Sequence, residues 1–138
     1  MDIHICNFRS IKEKKISFTK GVTLLKGKSG AGKSTIFEAI RWCMYGSLKG
    51  ITPIGEKNQT KVTIDLKTIK ITRSNQPEKL IVEYGSKIYE KDEASGIIEK
   101  IYGSKNIWNS SSYLAQDDRN LFFKFTNFDK IDLIKEMI

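Results

Sequence analysis

The sequence predicts an α/β domain in which one strand–loop–helix unit is joined to an antiparallel β-subdomain, and three observations carry that expectation. The first is the run Gly27-Lys28-Ser29-Gly30-Ala31-Gly32-Lys33-Ser34, which satisfies the phosphate-binding pattern G-x-x-x-x-G-K-[ST]. The second is its setting, because the mainly apolar Val22-Thr23-Leu24-Leu25 stands before it and a helical pattern follows it. The third is a change of hydrophobic period, from 3.6 over residues 33–45 to two over residues 61–89.

Taken in order, Asp2 to Phe8 and Lys15 to Phe18 alternate around the polar stretch Arg9-Ser10-Ile11-Lys12-Glu13, which predicts an antiparallel hairpin. A third strand, Val22 to Lys26, is expected to feed the glycine-rich loop. The predicted helix from Lys33 to about Tyr45 carries Ile36, Phe37, Ala39, Ile40, Cys43 and Met44 as its apolar face, and Gly46 is its stop. Gly46, Gly50, Pro53 and Gly55 mark an irregular connection to Gln59. Lys61 to Leu66, Thr68 to Arg73, Leu80 to Tyr84 and Lys87 to Tyr89 then read as a meander, with turns at Ser74-Asn75-Gln76-Pro77 and Gly85-Ser86. Helical spacing returns from Asp92 to Tyr102 through Ile97, Ile98 and Ile101, and ends at Gly103. Ser111 to Gln116 reads as one more strand. From Asp129 onward, Ile131, Leu133, Ile134, Met137 and Ile138 form the start of an amphipathic helix.

The loop residues explain the chemistry. A polyphosphate is approached closely by successive backbone N–H groups, which needs glycines in dihedrals that side chains disfavour. A helix starting at the end of the loop adds its unpaired N–H groups and the positive end of its dipole. The main-chain amides from Ser29 through Gly30, Ala31 and Gly32 to Ser34 are therefore the expected anion nest. Lys33 supplies a point charge for the β and γ phosphates, the Ser34 hydroxyl is placed to ligate Mg2+, and Thr35 extends the polar start of the helix.

With 138 residues the chain is one domain in size. Lys and Arg number 24 against 16 Asp and Glu, a net charge of +8 spread along the chain. Distributed lysines suit a nucleic-acid backbone, and Lys49, Lys57 and Lys61 are the expected groove for duplex DNA; a composition simply rich in lysine, isoleucine and asparagine gives the same balance. Cys6 and Cys43 have no companion at metal-ligand spacing and read as buried reduced thiols. His4, the single histidine, falls on an alternating strand and reads as structural or solvent-facing. There is no basic-then-apolar leader, and no segment approaches the roughly 20 apolar residues of a membrane span, so an intracellular protein without a membrane partner is expected.

Two strands before the phosphate loop argue against a mononucleotide kinase, in which that loop follows the first strand. The words N-F-R-S (Asn7 to Ser10), G-K-S-G-A-G-K-S-T-I-F-E-A-I-R-W-C-M-Y-G (Gly27 to Gly46) and Y-L-A-Q (Tyr113 to Gln116) occur in that order. Together they resemble the N-terminal lobe of the SMC-like ABC ATPases of chromosome maintenance and repair, of the SbcC and Rad-fifty type, over essentially the whole chain. The resemblance implies a P-loop NTPase fold of ABC type, with residues 1–128 as the ATP-binding lobe, 129–138 as the start of a coiled coil, and a C-lobe lying outside the sequence. It implies ATP and Mg2+ as cofactors. It places the Q-loop glutamine on Gln116, touching Mg2+ and orienting the attacking water, and a nucleotide-reaching hairpin turn on Arg9 and Ser10. Asp117 and Asp118 read as a solvated turn, because the family places its catalytic acid elsewhere. The implied partners are a C-lobe, a second ATPase head, a nuclease subunit and double-stranded DNA, and the implied location is the nucleoid or, in a eukaryotic setting, the nucleus.

The departures from that pattern set limits on catalysis. No run of four apolar residues ends in Asp-Glu, no S-G-G-Q signature occurs, Ser95-Gly96 being followed by two isoleucines, and the switch histidine is missing. Phosphoryl transfer to water needs the metal clamp, a positioned nucleophile and charge compensation together. Hydrolysis is therefore expected only with a complementing C-lobe and a second head. Two other readings compete: a small P-loop kinase or GTPase, which would need N-K-x-D or an arginine-rich lid in a chain with four arginines, and a degenerate remnant that binds nucleotide or DNA without turnover.

Overall fold

The computed structural model describes residues 1–53, 59–112, 126, 130–131 and 134–135. They divide into two compact units, residues 1–97 and residues 98–138.

The first unit is built on a six-stranded antiparallel sheet in the order β2-β1-β3-β4-β5-β6. Its strands are β1 (Asp2–Phe8), β2 (Ile11–Ser17), β3 (Thr60–Asp65), β4 (Ile69–Asn75), β5 (Lys79–Tyr84) and β6 (Lys87–Glu90). Alternation decides the two faces. Ile3, Ile5, Val62, Ile64, Ile69, Ile71, Leu80 and Val82 are buried on one face, while His4, Cys6, Lys61, Thr63, Lys70 and Thr72 stand on the other. The helix α1 (Lys33–Tyr45) packs on the apolar face across β1, β3 and β4. Trp42 meets Phe8 with ring centroids 5.6 Å apart in a tilted arrangement. The Cys43 thiol donates to the carbonyl of Val62 at 3.3 Å, tying the helix to the sheet backbone.

The first hairpin is tighter than its sequence suggests. Phe8 pairs with Ile11, so Arg9 and Ser10 alone make the turn, and β2 begins at Ile11 rather than Lys15. Arg9 takes a left-handed φ of 50°, and its N–H donates to the carbonyl of Ile51 at 2.6 Å. Along α1 the burial also differs from the apolar count: Trp42 is buried, whereas Phe37 is 42% exposed. The meander is as predicted to within two residues at each end. Ser74 and Asn75 extend β4, leaving Gln76, Pro77 and Glu78 to connect it to β5.

The expected strand Val22 to Lys26 forms no ladder with any described residue. A strand exists only where its N–H and C=O groups find partners, and here Val22 and Leu24 stand exposed.

Helix α2 (Lys91–Tyr102) runs from the first unit into the second, with Ala94 and Ile98 buried. In the second unit α3 (Lys105–Ser111) follows Gly103, whose φ of 80° ends α2. Ser104 caps α3 by accepting from the N–H of Ile107 at 3.4 Å. Ser111 thus closes a helix rather than opening a strand, and Tyr113 to Gln116 lie outside the described residues. In the tail, residues 130, 131, 134 and 135 are helical. Among the described residues no helix is long and apolar enough to cross a membrane.

Candidate functional site

The glycine-rich loop ends on Gly32, the N-cap of α1, at φ 80° and ψ 17°. Gly30 takes a similar φ of 79°. Both dihedrals are left-handed, where a Cβ would be strained, and successive residues in such conformations are the kind that form anion-binding nests. No side chain caps α1, and its first turn carries no acidic residue. The orphan N–H groups and the positive end of the helix dipole are therefore available to an anion. Within the loop, Ala31 N–H donates to the Lys28 carbonyl at 3.2 Å, and Ile36 N–H to the Gly32 carbonyl at 3.3 Å.

Lys33 curls back over this loop. Its Nζ donates to the carbonyls of Gly27 and Lys28, each at 2.8 Å. These partners hold the ammonium beside the nest, where a phosphate would exchange neutral acceptors for charged ones. Ser29, Gly30 and Ala31 are exposed, as is Ser34 with its hydroxyl at the start of the helix, while Thr35 is half-buried. A hydroxyl at the helix start fits a hard divalent cation that keeps most of its water.

The hairpin turn comes to the same place. A Cβ on Gly32 would lie 3.8 Å from Ser10 Oγ, so Ser10 borders the end of the loop. Arg9 Nη1 donates to Glu38 Oε2 on α1. Glu38 was not singled out by sequence reasoning. Its signal was available, since it is the one acidic residue of α1. Gln116, with Asp117 and Asp118, lies outside the described residues, as does Lys57. Lys49 sits exposed in the loop after α1 and Lys61 on the outer sheet face.

The other end of α1 is closed by Arg73 on β4, which also escaped sequence reasoning. Its Nε donates to the Cys43 carbonyl at 3.0 Å and its Nη2 to the Met44 carbonyl at 3.3 Å. A cation there complements the negative end of the helix. Burial pushes the Arg73 guanidinium below its ordinary value, offset in part by Cys43 and Glu78. Cys43 is fully buried as expected, and burial raises its thiol to about 12. Cys6 is not buried: it is half-exposed, its Sγ 3.3 Å from His4 Nε2, so the expected isolated thiol has a neighbour. The pairing is invisible in cysteine spacing because His4 lies two residues away on the same strand face.

A left-handed glycine pair, an uncapped helix start and a lysine folded over the loop define the lobe of a P-loop NTPase. A family model described as an AAA domain matches residues 2–138. Protein 050L of Invertebrate iridescent virus 6 is 28% identical over 141 residues, covering 99% of this chain and 12% of the relative. The DNA double-strand break repair Rad50 ATPase of Methanocaldococcus jannaschii is 27% identical, with 99% and 15% covered. The Rad50 ATPase of Archaeoglobus fulgidus reaches 49% identity over 45 residues, a third of this chain and 5% of that protein. A solved structure from work on ATP-driven dimerization and DNA-stimulated activation of SMC ATPases superposes with a TM-score of 0.70 at 20% identity, covering 99% of this chain and 98% of the other. The chain belongs to the AAA domain family, as an N-terminal lobe of the SMC/Rad50-like ABC ATPase type. It spans only 12% of the length of protein 050L and 15% of that of the Methanocaldococcus jannaschii relative, each of which matches 99% of this chain.

Proposed function

We propose that this chain is the ATP-binding half of a DNA repair or chromosome-maintenance ATPase, gripping the triphosphate of Mg-ATP in the nest that ends at Gly32. The observation that carries this reading is the uncapped start of α1 beside Lys33, whose Nζ is held on the carbonyls of Gly27 and Lys28. Lys33 would leave these carbonyls for the β and γ phosphates, while the Ser34 hydroxyl would ligate Mg2+, which when bound neutralises and orients the phosphates. The Rad50 names among the relatives support the repair context.

Hydrolysis belongs to a larger assembly in this reading. The 138 residues contain neither an apolar run ending in Asp-Glu nor an S-G-G-Q signature, so those groups would come from a C-lobe and from an opposing head. Gln116 is proposed as the residue that orients the water, and Arg9 with Ser10 as the hairpin contacts to the nucleotide. Double-stranded DNA and a nuclease subunit are proposed as further partners, with the tail from residue 129 leading toward a coiled coil.

A docking place for the C-lobe is supported by the same segment that formed no strand. Val22 is 102% and Leu24 73% exposed. Next to them is a groove of about 830 Å3 lined by Phe18, Thr23, Phe37, Ile40 and Leu66. Strands from a C-lobe would supply the missing ladder and cover these side chains.

Calorimetry with Mg-ATP tests the assignment. Lys33→Ala is expected to lose most of the affinity; binding equal to that of the unmodified chain would remove Lys33 from the site and the reading with it.

A further inference from the structure

On the outer sheet face, far in function from the phosphate loop, three metal-ligating side chains converge. His4 and Cys6 lie two residues apart on β1 and so project from the same face, and Glu13 is the cross-strand partner of Cys6 on β2. Their ligand atoms, His4 Nε2, Cys6 Sγ and a Glu13 carboxylate oxygen, all lie within 4.8 Å of one another. The His4 ring contacts Glu13 Oε1 at 2.9 Å and Cys6 Sγ at 3.3 Å, both through Nε2.

That shared nitrogen decides between two chemistries. A nucleophilic relay of thiol, imidazole and carboxylate uses opposite ring nitrogens, one for the nucleophile and one for the acid that orients the ring. Here both neighbours press on one nitrogen, which has a single N–H or a single lone pair and can serve only one of them fully. Three ligand atoms of different chemistry within 4.8 Å of one another can instead share one cation. We propose that His4 Nε2, Cys6 Sγ and Glu13 form a three-ligand site for Zn2+ or a similar borderline divalent cation, completed by water.

Two of the three ligand-to-ligand distances are already close to those of a zinc site. In a tetrahedral zinc site the N···O edge is about 3.3 Å and the N···S edge about 3.6 Å, from bond lengths of roughly 2.0–2.3 Å. The observed 2.9 and 3.3 Å therefore need to open by a few tenths of an ångström. The third edge, Cys6 Sγ to a Glu13 carboxylate oxygen, lies within 4.8 Å and would settle at about 3.6 Å by rotation of the Glu13 side chain. Backbone pairing across β1 and β2 already fixes the three Cα positions, so little ordering is required. The donor set, one thiolate, one imidazole and one carboxylate, selects Zn2+ or Co2+ over Mg2+, whose ligands are oxygens. A bound cation would displace the thiol proton to solvent as the S–metal bond forms. Lys15, opposite His4, and Lys61, opposite Cys6, weaken cation affinity, and the two anionic ligands offset them.

The test uses the full chain without nucleotide. Zn2+ is titrated by calorimetry, and Co2+ by absorption, where thiolate ligation gives an intense near-ultraviolet charge-transfer band. The expected result is a saturable site with that band, weakened more than about tenfold by Cys6→Ser, His4→Asn or Glu13→Ala, each with unchanged far-UV circular dichroism. Cys43→Ala and Lys33→Ala should leave it intact, which separates it from the buried thiol and from the phosphate loop. Absence of saturable Zn2+ binding, a Co2+ complex without the thiolate band, or binding that survives Cys6→Ser would each overturn the assignment.

Discussion

Arg9, in the two-residue turn between β1 and β2, is ion-paired with Glu38 in the second turn of α1. The turn is thereby held to the same helix that opens at the phosphate loop. Arg9 also keeps its backbone bond to Ile51, so the residue is held once through its main chain and once through its side chain.

The pair is only partly exposed, 34% for Arg9 and 24% for Glu38, which lifts it above an ordinary surface ion pair. A double-mutant cycle with Arg9→Ala and Glu38→Ala in urea is expected to give a coupling of about 1 kcal/mol. Strict additivity of the two single changes would show that the contact does not hold the turn.

Gly30 and Gly32 test whether the loop is glycine-rich for dihedral or for spatial reasons. A Cβ on Gly30 meets nothing within 4 Å, and one on Gly32 meets Ser10 Oγ only at 3.8 Å, so neither alanine clashes. Both sit near φ 80°, and Gly→Ala at either is expected to cost about 1–2 kcal/mol in urea unfolding. A neutral or stabilising Gly30→Ala would show that the loop relaxes out of the left-handed conformation.

Arg73 closes α1 at the end away from the nest. Arg73→Ala removes both bonds to the Cys43 and Met44 carbonyls and is expected to destabilise by about 1–3 kcal/mol. Lysine keeps the charge but lacks the planar fork, so Arg73→Lys should recover only part of the loss. Full recovery in thermal or urea unfolding would mean that charge alone matters there.

Cys43 makes stability depend on alkaline pH. Its thiol is raised from 9.0 to about 12 by burial, so the folded chain keeps a proton that the unfolded chain releases. The contribution is fully present below pH 9 and is lost as pH rises from 9 toward about 12. Chemical unfolding at successive pH values should show this decline, with Cys43→Ala less steep than the unmodified chain. Iodoacetamide in native buffer should label half-exposed Cys6 and spare Cys43.

Val22 and Leu24 carry the largest exposures among the large apolar side chains described. The double change Val22→Ser and Leu24→Ser should reduce self-association in sedimentation while shifting unfolding by less than about 0.5 kcal/mol. A large loss of stability would show that these side chains already pack within the chain.

How far the pattern of residues could be read depends on the range of the forces involved. The meander, α1 and α2 were legible because period, turn residues and Gly46 or Gly103 act within a few positions of where they stand. The left-handed Gly30 and Gly32 and the helix start that follows them were legible for the same reason, since consecutive residues make them. Helix α3 was missed because seven residues show too little periodicity, and its cap, Ser104, was the one local sign. The segment from Val22 reads as a strand from its apolar residues alone, but forms no ladder among the described residues because a strand also needs a partner.

Local order along the chain was thus enough to specify a strand-rich lobe with a glycine-rich loop running into an uncapped helix start, because dihedral preferences and hydrophobic periods are written residue by residue. Which side chains meet across strands or between sheet and helix was settled only on folding: Arg9 with Glu38, Arg73 with the end of α1, and His4 with Cys6 and Glu13. Strand register and helix docking create those contacts, and both arise from burying a shared apolar face that no single segment can bury alone.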